Sequence, residues 1–178
     1  MHKNALWITR TAVLVALLVV LQALTMALGN TIITGSVVNL ILIISVMICG
    51  FGTGLTVAII SPFMAKLFGI GPFWSLIPFI AVGNTTLISL WHLVGNRNIV
   101  NKPVTYVLAL LAAAVAKALF LYVGVVRIAV PLLLDLPEQQ AAVITGMFSV
   151  SQFVTAATGG VCATIILSTL KKAVGKST

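Results

Sequence analysis

The chain has 178 residues, 61% of them hydrophobic and 7% charged, with a mean hydropathy of +1.23. A soluble domain of this length could not cover so much apolar surface with so few polar side chains, so the composition excludes one and leaves an integral membrane protein. The net charge of +8 raises nucleic acid as a partner, but the Lys and Arg residues neither cluster with aromatics nor share one polar face, which argues for no nucleic acid.

Six apolar runs follow in chain order, and their lengths predict transmembrane helices rather than the alternating ten-residue strands of a barrel. The first covers residues 5–28. Its basic, apolar start is similar to a signal peptide, but the run is long and no small-residue cleavage site follows, so a retained first helix is expected. "GNTIITGS" then predicts a loop, and residues 37–49 a short second helix. "GFGTG" reads as a tight glycine turn before a third helix over 55–68, with a kink expected at Pro62. After "GIGPF" the fourth helix is placed at 74–94. The polar "GNRNIVNKP" precedes a fifth helix at 104–126, and "PLLLDLPEQQ" reads as an irregular connector to a sixth at 141–170. The whole of 1–178 is read as a single membrane domain.

Basic residues near helix ends set orientation. With the N-terminus in the cytoplasm, Lys3, Arg10, Arg97, Lys102, Lys171, Lys172 and Lys176 fall on the cytoplasmic side, and only Arg127 falls outside, beside Asp135 and Glu138. Both termini are therefore expected to be cytoplasmic. Short second and third helices and connectors rich in Gly, Pro, Thr and Asn predict a loop-roofed cavity in the outer half, because irregular backbone at membrane depth must line a cavity or be covered by protein.

Lys117 is the most informative residue. It stands in "AAAVAKALFLY", about nine residues and roughly 13 Å below the outer end of the fifth helix, too deep for easy snorkelling. Intramembrane lysines face a bundle interior or a water-filled cavity by default. The same count brings Asn84, Gln152 and Thr155 to the outer half, with Lys66, Asn30, Thr34, Ser36 and Asn39 near it and Phe73 and Trp74 at the rim. The candidate substrate-binding set is Lys117, Asn84, Gln152, Thr155, Asn39, Trp74, Lys66 and Asn30.

Each has a plainer reading. Lys66 could anchor at the headgroups and Trp74 in the interfacial belt, Asn84 and Gln152 could join helices, and Lys117 could be neutral or satisfied by backbone carbonyls. His92 is given no role. With the only two carboxylates in a loop, a proton relay or a cationic ligand is disfavoured, and the expected partner of Lys117 is an anionic or polar substrate. Cys49 and Cys162 lack CxxC spacing and a nearby His, so no metal or redox site is expected and both read as small buried hydrophobes.

The length, the six runs, the basic ends, the AxxxA of Ala12 and Ala16 and "QFVTAATGG" together resemble the S components of energy-coupling factor (ECF) transporters. "TGSVVNLIL", "ISPFMAKLFGIGP" and "IPFIAVGN" are similar to the branch that carries water-soluble vitamins. The resemblance implies a multi-pass subunit in the cell membrane of a prokaryote that binds a vitamin or related micronutrient near the outer surface. It implies docking, through Ala12 and Ala16, on a transmembrane coupling protein that works with two ATP-binding-cassette ATPases, and a toppling motion that delivers the substrate. It implies no enzymatic activity and no cofactor bound by this chain, ATP being used by the partners; the chain has no GxxxxGK[ST] loop.

Among substrates, Lys117 favours an anion such as pantothenate. A heteroaromatic vitamin of pyridoxine, pyrimidine, riboflavin or folate type, able to stack on Trp74 or Phe73, is the alternative, with cobalamin or a queuosine precursor also open. Readings of another class are a small channel, a structural membrane subunit or a lipid-modifying enzyme. The enzyme would need paired carboxylates or a nucleophile beside a base, and the channel a continuous polar path.

Overall fold

The computed structural model describes residues 2–97 and 101–174, with side chains for 4–97, 101–167 and 169. Lys3, Lys171, Lys172 and Lys176 of the orientation count lie outside the described side chains. All elements among the described residues are helical. They are α1 (His2–Met26), α2 (Thr31–Cys49), α3 (Phe51–Leu67), a 3-10 turn (Trp74–Leu76), α4 (Ile77–Gly95), α5 (Lys102–Leu121), a π-helical segment (Tyr122–Ala129), α6 (Val130–Leu133), α7 (Glu138–Met147) and α8 (Val150–Val174).

Five stretches are long and apolar enough to cross a membrane: Asn4–Met26, Thr31–Cys49, Trp74–Gly95, Lys102–Leu133 and Glu138–Leu167. Helix α3 is apolar but has 17 residues, about 25 Å of helix against a hydrocarbon core of about 30 Å.

Local chemistry moves several predicted boundaries. The "TIITGS" half of the expected first loop is helical, because the Asn30 side chain accepts from the amides of Ile32 (2.9 Å) and Ile33 (3.3 Å) and starts α2 six residues early. Helix α2 is therefore not short. The expected glycine turn "GFGTG" contracts to one residue, Gly50, whose φ of +90° lets the chain reverse without strain. Gly52 and Gly54 belong to α3, where Gly54 lets the backbone approach Val46 of α2 closely; a Cβ there would lie 2.9 Å from the Val46 Cα.

The fifth helix does not stop near Val126. It passes through the π-helical segment into α6, and "PLLLDLPEQQ" is irregular only over 134–137. The sixth run is two helices, broken at Phe148 and Ser149. The break frees carbonyls that the helical ladder would have used. Ser151 Oγ donates to Gly146 O at 2.9 Å and Gln152 Nε2 to Met147 O at 2.9 Å, so side chains replace the missing backbone donors.

Helix α2 is the centre of the bundle, touching α1, α3, α4 and α8. Its contact with α8 is intimate because Gly159 has no side chain: a Cβ there would meet Ser36 O at 2.6 Å and Asn39 Cβ at 2.8 Å. Leu42, Ile43, Val46, Leu87, Trp91 and Leu167 lie in the main core. A second, smaller core of Leu76, Leu121, Val125, Ala129, Ile144 and Phe148 forms where the π-helical segment meets α7 and the 3-10 turn.

Candidate functional site

A cavity of about 520 Å³ opens where these two cores part. Its wall takes Val38 from beside the main core and Ile144, Met147 and Phe148 from the smaller one. It lies at the end of the bundle where α1 and α3 finish and α2 and α4 begin. Gln22 and Met26 come from α1, residues 29–30 and 71–73 from the following loops, and Thr31, Thr34, Gly35 and Asn39 from α2. Lys117 comes from α5, and Ser151, Gln152 and Thr155 from α8.

Lys117 is 4% exposed and reaches the wall from within the bundle. Its Nζ donates to Asn39 Oδ1 at 2.6 Å and to Asn84 Oδ1 at 2.8 Å. Two neutral amides, on α2 and α4, hold the amine. The amide nitrogens face the other way. Asn39 Nδ2 donates to Thr155 Oγ1 at 3.3 Å, and Asn84 Nδ2 to Ala58 O at 3.5 Å, a long contact. Thr155 Oγ1 in turn donates to Gln152 O at 3.1 Å. Lys117 thus ties together α2, α4 and α5, with α3 and α8 attached through the amides. Asn39, Asn84 and Thr155 are all buried.

The predicted set divides. Lys117, Asn39, Thr155, Gln152 and Asn30 line the cavity. Asn84 stands behind the wall and touches the cavity only through Lys117. Lys66 and Trp74 are not on the wall; Lys66 is half-buried at the end of α3 and Trp74 is 52% exposed. Phe73, one residue earlier, takes the place expected for Trp74. Asn30 and Gln152 serve the backbone as well, the first as the cap of α2 and the second at the break before α8.

Sequence reasoning did not include Gln22, Ser151 or the apolar trio of α7 and the break. The available signal for the break was Ser151 and Gln152 themselves, polar groups placed five residues after the carbonyls they satisfy. The Asn39–Lys117–Asn84 bridge has no local signal, since its partners are 78 and 33 positions from the lysine.

Ala12 and Ala16 are exposed on α1 and line a separate, larger groove between α1 and α3, with Val19, Ile60 and Met64 among its apolar neighbours. Cys49 is partly buried and Cys162 exposed, so neither matches the fully buried position expected of it. Among the described residues, no group of three or more His, Cys, Asp and Glu could hold a metal ion. No protein-family model, curated protein or solved structure matches the chain.

Proposed function

We propose that this chain is the substrate-binding subunit of an ECF-type importer, taking a water-soluble vitamin or related micronutrient into the cavity beside Lys117. In this reading α3 is the sixth span, tilted or in thinned bilayer. Both termini are cytoplasmic, the cavity faces outward, and the membrane is that of a prokaryotic cell. Ala12 and Ala16 meet a coupling protein whose partner ATPases hydrolyse ATP; this chain performs no chemistry of its own.

The observation that carries the reading is one buried amine on the wall of a cavity of about 520 Å³, in a chain that is 61% hydrophobic. Intramembrane ionisable groups are costly and stand where they meet a ligand or a polar pathway. A cavity of this volume matches small-molecule sites, which combine an apolar wall with a few fixed polar groups. The amides and hydroxyls beside Lys117 supply those groups.

The experiment is native mass spectrometry of the purified chain, with extraction and identification of any small molecule that travels with it. A co-purified vitamin supports the proposal and names the substrate. An empty protein that also binds nothing in a vitamin panel removes it.

A second reading draws on the same hydrogen bonds. Two amides on a buried lysine also suit a polar fastening between helices, as in a structural membrane subunit. That reading expects Lys117 to matter for stability and no solute to bind.

A further inference from the structure

Resting on the reading of the cavity as a solute site, we infer that its occupant is a monoanion: one carboxylate seated on Lys117, with an uncharged, hydrogen-bonding remainder. Lys117 is the one ionisable side chain on the cavity wall among the described residues. A protonated lysine carries three donors and no acceptor. Two of its donors go to amide oxygens, which bring dipoles but no charge. The two carboxylates of the chain, Asp135 and Glu138, are exposed and absent from the wall.

In its protonated form Lys117 is a single positive group in a low-dielectric wall without a negative one, and that form sets the charge of what binds there. A neutral occupant leaves the amine uncompensated, a cation is repelled, and a dianion brings surplus charge that nothing on the wall meets. A carboxylate on the third donor closes the balance with a charge-assisted hydrogen bond. The remainder of the solute meets the neutral donors and acceptors of Gln22, Thr31, Thr34 and Ser151 and the apolar face of Phe148.

Asn39 and Asn84 are positioning residues for this seat. Their nitrogens are engaged by Thr155 Oγ1 and Ala58 O, which turns both oxygens toward Nζ. Asn39→Asp would place a permanent counter-charge in the oxygen position nearest the amine. The Thr155 hydroxyl can rotate to donate to it, giving up its bond to Gln152 O.

The test compares matched solutes on the full chain in lipid nanodiscs, read by equilibrium binding. The pairs are pantothenate with pantothenol, nicotinate with nicotinamide and biotin with its amide; thiamine is the cation. At least one carboxylate is expected to bind roughly tenfold or more tighter than its neutral twin, as a charge-assisted contact exceeds a neutral one. Asn39→Asp is expected to erase that preference. Neutral twins binding as tightly as carboxylates, or thiamine binding alone, overturns the inference and leaves the solute-site reading standing. Silence from every carboxylate overturns the inference, and silence extended across a full vitamin panel overturns the solute-site reading as well. A preference that survives in a folded Asn39→Asp protein overturns the seat at Lys117. If that variant does not fold, the wild-type twin comparison decides alone.

Discussion

Lys117 on α5 and Asn39 on α2 meet Nζ to Oδ1 at 2.6 Å, although 78 positions separate them. The bond makes the candidate ligand group part of the helix packing. Replacing Lys117 therefore acts on stability and on binding together. Lys117→Met leaves the buried oxygens of Asn39 and Asn84 unpaired. An unsatisfied buried acceptor costs about 1–3 kcal/mol in soluble proteins. In a membrane the cost is nearer about 1 kcal/mol, because unfolded helices also find partners. The variant is expected to melt several degrees lower in a detergent thermal-shift assay and to lose about tenfold or more in affinity for the solute. A melting point equal to wild type would mean that the two amides relax at no cost.

Gly159 tests the seam between α2 and α8. A Cβ there would strike Ser36 O, a backbone atom that cannot step aside alone, so Gly159→Ala forces the helices apart and moves Asn39 with them. Overpacking of this kind costs about 1–3 kcal/mol. Gly146 in α7 has nothing within 4 Å of such a Cβ. Gly146→Ala is expected to be neutral or to stabilise by up to about 1 kcal/mol, through helix propensity. Chemical denaturation of the two variants side by side reads the contrast, and equal effects would remove the seam argument.

The neighbouring aromatics separate in the same way. Phe73 lines the cavity and Trp74 does not. Phe73→Ala is expected to weaken solute binding several-fold, while Trp74→Ala leaves it within about twofold, the ordinary effect of a surface change. The reverse order would place the occupant at the rim, not inside.

The face of α1 makes a prediction about transport alone. Ala12 and Ala16 are exposed and line a groove of which Lys117 is not part. Small residues at this spacing allow close helix approach in lipid, and a large side chain blocks it. Ala12→Trp and Ala16→Trp are expected to bind solute normally and to fail in uptake by proteoliposomes that contain the coupling protein and ATPases. Normal uptake by both variants would refute docking through this face.

Much of the helical order was legible in the sequence because long apolar runs carry it, as in α1 and α4. Boundaries were misread where one side chain decides them. Asn30 turns a loop of Thr and Ile into the first turns of α2, and a Ser-Gln pair pays for a break inside an apolar run. Lys117 stood out as a group needing a partner, since charge in hydrocarbon is conspicuous. Asn39 and Asn84 were named beside it as pocket residues, but their bonds to the amine were not, because asparagines on other helices declare that pairing only when packing brings them within 3 Å. Trp74 and Phe73 show a finer limit: adjacent positions in a loop exchange inside and outside with the local turn, which composition does not encode.

The single-residue link at Gly50 has a mechanical consequence. Helices α2 and α3 are riveted at that end, where Gly54 lies against Val46, and the cavity is at the other. A riveted pair works as a pair of tongs. With α2 about 28 Å long, a swing of about 10° at the rivet displaces the far tip by roughly 5 Å. A motion too small to disturb the packing around Gly50 is therefore amplified at the cavity end of the pair.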